Sequence, residues 1–204
     1  MNGLRETASA VRVTLISWVI CGLLFPLLVV GIAQALFPFQ AQGSILRSPS
    51  GVVLGSAHIG QSFTSAGWFW GRPSATNAPV GNKRAPYAAN NSGGSNLGPT
   101  NAALREEVKG HLEAILAADP GLQPDQVPLD LIESSGSGLD PDITPEAALL
   151  QVPRVAAATG VPQGTLTQLV RSRARDGLLV RVFGAPHVNV LGLNLALWRL
   201  EGGQ

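Results

Sequence analysis

The chain has 204 residues, a net charge of +1 at neutral pH and one cysteine, Cys21. A nearly neutral chain gives no electrostatic reason to expect nucleic acid as a partner, and a lone cysteine excludes an internal disulfide. With 24 glycines and 15 prolines the sequence is rich in turns, yet apolar segments recur throughout it, which favours a folded domain over disorder.

The first predicted element is a transmembrane helix over residues 13–37. No charged side chain occurs between Arg12 and Arg47, and most of that stretch is apolar. A helix of this length rises about 37 Å at roughly 1.5 Å per residue, which is enough to cross a hydrocarbon core of about 30 Å. We therefore expect a short tail (1–12), a membrane span (13–37) and a soluble domain (43–204).

The flanking charges predict the orientation of this span. Arg5 and Arg12 precede it, together with the positive amino terminus and a single acid, Glu6. Short positive flanks stay in the cytoplasm, so we expect the domain on the periplasmic face. A signal peptide cleaved after Ala33-Gln34-Ala35 is the alternative, which would release an exported binding protein or enzyme. The apolar run exceeds the usual signal-peptide core, which favours a retained anchor in membrane lipid.

The span contains small residues at four-residue spacing, notably Gly31 and Ala35. Such spacing lets a neighbouring helix approach closely, so this face is a candidate contact with a partner subunit. A lipid-facing anchor with incidental small residues is the alternative.

Beyond the span, a short strand is predicted at 51–55 and an aromatic cluster follows. Trp68, Trp70 and Arg72 are residue types that dominate binding hot spots, so we interpret them as a partner-binding anchor. A core cluster in which Arg72 pairs locally is the alternative. The Gly- and Asn-rich stretch 77–101 predicts a long loop.

An amphipathic helix follows, capped by Thr100 or Asn101 and ended by Asp119-Pro120-Gly121. His111 falls on its predicted solvent face. A strand is expected at 127–132, and Thr144 with Pro145 predicts another helix start.

The segment 152–171 predicts two helices joined at Gly160. It resembles a DNA-binding helix-turn-helix, whose candidate base-reading residues are Thr165, Thr167, Gln168, Arg171 and Arg173. An exported domain meets no chromosome, so we expect scaffold and no nucleic acid. Two strands are then predicted, at 178–183 and 188–200, because Leu191, Leu193, Leu195 and Leu197 alternate with smaller or polar residues. The expected fold class is α+β, one mixed α/β extracytoplasmic domain after the single span.

Motifs for catalysis are absent from the sequence. The three histidines are scattered, and the sequence has neither a phosphate loop ending in Gly-Lys-Ser/Thr nor a nucleophile elbow. Asp130, Glu133, Asp140 and Asp142 do not match a calcium loop. The loop Ser92-Gly93-Gly94-Ser95-Asn96 can offer backbone N–H groups to an anion, although without Lys or Arg beside it a flexible turn explains it better. We therefore expect a chain that is not an enzyme and that has no resident metal.

Four ordered motifs behind one span carry a resemblance to a family. They are residues 70–75 (WGRPSA), 92–101 (SGGSNLGPTN), 135–141 (SGSGLDP) and 188–194 (VNVLGLN). Together they resemble the C subunit of the Kdp-type potassium-transporting ATPase. Asp142 stands where that family commonly has His, and Ala102 where it often has Pro, which argues against essential chemistry at those two positions.

The resemblance implies an accessory subunit of a bacterial inner-membrane complex for potassium uptake. Its partners would be an ATPase subunit, which hydrolyses ATP, and a channel-like subunit, which passes potassium. The resemblance also implies a catalytic chaperone that raises the ATP affinity of the ATPase subunit, with ATP as the implied ligand and Ser92–Asn96 as its candidate site. The predicted orientation conflicts with direct ATP contact, because ATP is cytoplasmic.

Overall fold

A computed structural model describes residues 2–76, 78–80 and 83–202. The chain forms two compact units, Met1–Ile45 and Leu46–Gln204. Helices α1 (Asn2–Val19) and α2 (Phe25–Leu36), joined by a π-helical turn at Ile20–Leu24, make up most of the first unit. A short helix, α3 (Pro38–Ala41), follows. Within the described residues, Gly3–Leu36 is the one helical stretch long and apolar enough to cross a membrane.

The π-helical turn lies immediately before Pro26. Proline has no N–H to donate, and its ring clashes with the carbonyl four residues earlier. A locally widened turn is one way in which a helix accommodates this defect. The Phe25 N–H accordingly donates to the carbonyl of Ile20, five residues back. The residues of the predicted span therefore form a continuous but not uniform helix, which begins earlier than residue 13.

The second unit opens with short strands. β1 (Ile45–Arg47) pairs with β2 (Val53–Ser56), close to the predicted strand at 51–55. β3 (Ala78–Val80) pairs antiparallel with β4 (Lys83–Ala85). The stretch 77–101, predicted as a loop, therefore contains a hairpin, although Asn77, Gly81 and Asn82 lie outside the described residues.

Helix α4 (Ala102–Ala118) confirms the predicted amphipathic helix and its cap. The Asn101 side chain accepts a hydrogen bond from the Ala103 N–H, and the helix ends at Asp119. The predicted strand at 127–132 is wrong. Two 3₁₀ turns, Pro124–Gln126 and Leu129–Leu131, occupy this region, where Pro124 and Pro128 cannot donate to a sheet.

The core lies among the later helices. The elements are β5 (Asp142–Ile143), α5 (Pro145–Leu150), α6 (Val152–Thr159), α7 (Gln163–Arg173), α8 (Leu178–Phe183), β6 (Val188–Asn189) and α9 (Val190–Leu200). Thr144 caps α5 as predicted, its hydroxyl accepting from the Ala147 N–H. Gly160 ends α6 at φ +76°, the left-handed conformation that favours glycine. The helix–Gly160–helix prediction is therefore confirmed.

Helix α8 contradicts the strand predicted at 178–183. Helix α9 contradicts the strand predicted at 188–200, of which only Val188–Asn189 are extended, as β6. Val190, Leu193 and Leu197 are buried on one face of α9, a helical spacing that the Leu alternation concealed. The Asn189 side chain caps α9 by accepting from the Gly192 N–H at 2.9 Å. The α+β class is confirmed, with more helix and shorter strands than the sequence pattern indicated.

Candidate functional site

Three of the four motifs, far apart in the sequence, meet on one face of the second unit, and the fourth, which is mostly buried, adjoins the third. We call this face the motif surface, and define it by the loops 71–76, 92–94 and 135–140 together with Tyr87. Hydrogen bonds and one ion pair within the chain connect these loops. Convergence of separate loops on a rigid scaffold is typical of a functional surface.

Arg72 is the charged centre of the motif surface. Its Nη1 lies 3.4 Å from Asp140 Oδ2, and the two side chains are 25% and 30% exposed. Nη2 donates to the carbonyl of Glu133 at 3.4 Å, while Nε is buried without a hydrogen-bond partner. Arg72 therefore pairs locally, as the alternative interpretation of this residue expected, and its side chain is still partly exposed.

Ser74 ties the first motif to the third. Its hydroxyl donates to the Gly138 carbonyl at 2.6 Å and accepts from the Tyr87 N–H at 2.9 Å. Gly138 has φ +65°, and a Cβ placed there would lie 2.6 Å from the Gly93 carbonyl oxygen. Only glycine fits this junction of three loops.

Tyr87 has the backbone conformation with the clearest strain on the surface. Its φ is +58°, an uncommon region for a bulky residue. Its N–H is held by Ser74, and its hydroxyl donates to the carbonyl of Arg72. Burial, then the charge of Asp140, raises the pKa of Tyr87 to about 12, and Arg72 opposes this shift. Strained residues of this kind concentrate at functional sites.

The loop Ser92–Asn96 packs against the third motif. The Gly93 N–H and the Ser92 hydroxyl both donate to the Ser137 carbonyl, at 2.8 and 3.1 Å. A Cβ on Gly94 would lie 3.1 Å from the Gly136 carbonyl oxygen, so close loop packing explains that glycine. These contacts use two donors that an anion would need; the predicted ATP role of the loop stays a prediction.

The fourth motif joins through β5 and β6, which pair Asp142 with Asn189. Asn189 Nδ2 donates to Asp142 Oδ1 at 2.9 Å, and His187 Nε2 lies 4.0 Å from Asp142 Oδ2. Of the other acids, Asp130 is buried and accepts from the Thr144 N–H at 2.6 Å. No group of three or more metal-ligating side chains forms among the residues that the structure describes.

Trp68 and Trp70 lie on a neighbouring segment and are both half-buried. Phe69 between them is fully buried. Asn194 holds the Phe69 backbone at both ends, accepting from its N–H at 2.8 Å and donating to its carbonyl at 2.9 Å. Gln151 does the same for Trp70, at 2.7 and 3.1 Å. Two side-chain amides, one on α9 and one at the junction of α5 and α6, thus replace the partner strand that this extended segment lacks.

Arg154 completes this support. It donates to the carbonyls of Ala66 and Trp68 at 2.6 and 3.1 Å, and its guanidinium stacks 4.0 Å from the ring centroid of Trp70. Burial lowers the pKa of Arg154 to about 10, with Asp119 opposing. Sequence reasoning missed Gln151, Arg154 and Asn194. For Arg154 and Asn194 the sequence did contain a signal, because each is a polar residue on the face of a helix that the spacing of apolar residues predicts to be buried.

A groove of about 320 Å³ lies beside the motif surface. Trp70, Arg72, Tyr87 and His111 line it together with Phe63 and Ile115. His111, expected on the solvent face, is half-buried, and its Nδ1 lies 3.0 Å from the Ile132 carbonyl. The groove brings Trp70 and Arg72 together, whereas Trp68 lines a different, more apolar pocket with Trp198 and Leu191.

In the first unit, Gly31 and Ala35 both lie on α2 and are exposed. A Cβ added to Gly31 meets nothing within 4 Å. Their predicted contact with a partner helix stays a prediction.

The chain matches the family model described as "K+-transporting ATPase, c chain" over residues 7–199. It is 50% identical over 201 residues to the potassium-transporting ATPase KdpC subunit of Bradyrhizobium diazoefficiens, covering 96% of this chain and 98% of that protein. The KdpC subunits of Methylorubrum extorquens and of Rhodopseudomonas palustris strain BisB5 are 52% and 48% identical. These alignments cover 87% and 95% of this chain, and 89% and 96% of those proteins. The chain therefore belongs to the C-chain family of K+-transporting ATPases.

Proposed function

We propose that this chain is a non-catalytic, single-pass accessory subunit of a bacterial inner-membrane potassium-uptake complex. The observation that supports this best is the meeting of three family motifs on the motif surface, next to a groove lined by Trp70 and Arg72. The fourth motif adjoins the third through the Val190 N–H, which donates to the Pro141 carbonyl. Arg and Trp in a half-buried groove suit a protein partner. In this proposal the span docks against the ATPase or channel-like subunit, while the domain contacts the channel-like subunit outside and steadies the assembly.

The flanking charges support the orientation in this proposal. Arg5 and Arg12 precede the apolar span, so the amino terminus is cytoplasmic and the domain periplasmic. The ATP-hydrolysing machinery then belongs to another subunit on the opposite face. Any increase in that subunit's ATP affinity is transmitted through protein contacts, rather than through phosphate held by Ser92–Asn96.

Substitution within the ion pair tests the contact role of the motif surface. We expect Arg72→Gln to reduce co-purification with a tagged channel-like subunit by about tenfold, the effect of losing roughly 1.4 kcal/mol of binding. The matched control is Lys109→Gln, which removes an exposed ion pair on α4. Equal co-purification of the two variants, with both folded by circular dichroism, would contradict the contact.

Substitution in the span tests helix docking separately. We expect Gly31→Leu with Ala35→Leu to weaken assembly, because the added side chains occupy the space of close helix approach. Ala33→Leu adds comparable bulk on the opposite side of α2 and serves as control. Weakening by Ala33→Leu alone would place the docking face elsewhere on the helix.

Protease accessibility tests the orientation. In sealed spheroplasts, added protease should digest the domain and leave the span. Protection of residues 46–204 would overturn the periplasmic placement and reopen direct ATP contact. Amino-terminal sequencing of the mature chain distinguishes a retained anchor from cleavage after Ala35.

A further inference from the structure

Helix α8 presents an apolar face to solvent. Phe183 and Leu178 are 85% and 78% exposed, and Leu179 and Val182 are also exposed. At 100° per residue these four side chains share one side of the helix, whereas Val180 lies on the opposite side and is partly buried. A helix that is apolar on both sides is normally buried. Clustered exposed apolar side chains mark a contact with protein or membrane.

Cationic side chains precede this apolar face. Arg171, Arg173 and Arg175 are exposed, and no ion pair among the described residues joins them to a carboxylate. The one acid of the segment, Asp176, is engaged by Arg181 at 2.5 Å. The segment 171–183 therefore combines three uncompensated positive charges with four exposed apolar side chains. This combination suits an anionic lipid surface better than a neutral protein surface.

The chain itself keeps the start of the second unit near the bilayer that holds the span. Eight residues, 37–44, separate the end of α2 from β1. Fully extended at about 3.5 Å per residue they span at most about 28 Å. A tether this short holds the domain at a high effective concentration relative to the lipid headgroups, so a weak interfacial contact is sufficient to be populated.

We propose that α8 is an interfacial helix of this subunit. Leu178, Leu179, Val182 and Phe183 insert at the headgroup boundary of the bilayer that holds the span, and Arg171, Arg173 and Arg175 contact anionic phospholipid headgroups. The contact restricts how the domain tumbles about its tether. It requires neither the motif surface nor a partner subunit.

Depth-dependent fluorescence quenching tests this on the full-length chain. In a Cys21→Ser background, Phe183→Cys is labelled with a polarity-sensitive fluorophore and reconstituted alone into phosphatidylcholine vesicles, with or without phosphatidylglycerol. Some lipids in each preparation bear a spin-label quencher. Leu129→Cys is the matched control, because Leu129 is 65% exposed on a different element.

The expected result is at least about threefold more quenching at position 183 than at 129 in phosphatidylglycerol vesicles. High salt, or substitution of the three arginines by glutamine, should reduce the quenching because the headgroup attraction is electrostatic. Leu179→Cys provides a second labelled position if Phe183→Cys does not fold. Equal quenching at 183 and 129 would overturn the proposal.

Two further outcomes would also overturn it. Shielding of the label only after the other subunits are added would assign α8 to a protein interface. Energy transfer between labelled copies that grows with protein density, without quenching by lipid, would assign it to a second copy of the chain.

Discussion

Residues 66–70 and residues 72–76 are neighbours in the chain but are held by different means. The first segment is bound by two side-chain amides. Asn194 on α9 bonds both the N–H and the carbonyl of Phe69, and Gln151, between α5 and α6, bonds those of Trp70. The second is bound by other loops, through the Ser74 hydroxyl and the Arg72 guanidinium. The bonds between Asn194 and Phe69 are fully buried, whereas the Arg72–Asp140 pair of the second segment is partly open to solvent.

The difference indicates which segment determines the fold and which is available for recognition. A buried amide that satisfies a backbone pair contributes stability, because both peptide groups would otherwise be orphaned away from water. A partly exposed ion pair such as Arg72–Asp140 contributes little stability, and either side chain can bind a group of another protein instead. Substitutions in the two segments should therefore separate stability from assembly, except where the loops meet at Gly138.

Gly138→Ala should reduce the free energy of unfolding more than the other substitutions. It would show that one position of the motif surface is also required for stability. The added Cβ would meet the Gly93 carbonyl oxygen at 2.6 Å and Thr76 Cγ2 at 2.7 Å, at φ +65°. We expect a loss of about 3 to 4 kcal/mol, from left-handed strain and overpacking together, measured by thermal unfolding of the full chain in detergent. Gly160→Ala is the control, because φ is +76° but nothing lies within 4 Å; it should cost only about 1 kcal/mol. Similar losses for both would mean that crowding at Gly138 does not matter.

Asn194→Ala should have the next largest effect and tests the helix-supported segment. Asn194 is 2% exposed, and its removal leaves the Phe69 N–H and carbonyl without partners in the core. We expect a loss of about 2 to 3 kcal/mol. Asn101→Ala removes an exposed helix cap and should cost about 1 kcal/mol. If Asn194→Ala cost no more than this control, the amide support would not be a main source of stability.

Titration of Tyr87 should reveal the smallest effect on stability, and it measures the pKa of this side chain directly. Tyr87 is the only tyrosine in the chain, so ultraviolet absorbance of tyrosinate reports it alone. Its folded pKa of about 12 lies above the ordinary tyrosine value of 10.0. The contribution of Tyr87 to stability is therefore complete below pH 10 and is lost as pH rises toward 12. Asp140→Asn should lower the folded midpoint, because it removes a charge that raises this pKa. A midpoint near 10 in the folded chain would show that the hydroxyl is not buried against Arg72.

Elements with local signals were predictable from the sequence. Helix α4 with its Asn101 cap, helix α5 with Thr144 and Pro145, and the turn at Gly160 are each specified by residues within one turn of the feature. The strand prediction for α9 failed because alternating leucines also include the spacing 190, 193 and 197, which buries one helical face. The cap at Asn189 was the signal that favours the helix.

The amino-acid sequence by itself determined the long apolar helix, the capped helices and, through four ordered motifs, the family. Those features depend on hydrophobic length and on side chains that act on their immediate neighbours in the chain. The tertiary structure alone decided that Arg72 meets Asp140, that Gly138 accepts the close approach of Gly93, and that the apolar face of α8 is not covered by the rest of the domain. Contacts between residues tens of positions apart depend on how helices and loops pack in three dimensions, which no local pattern records.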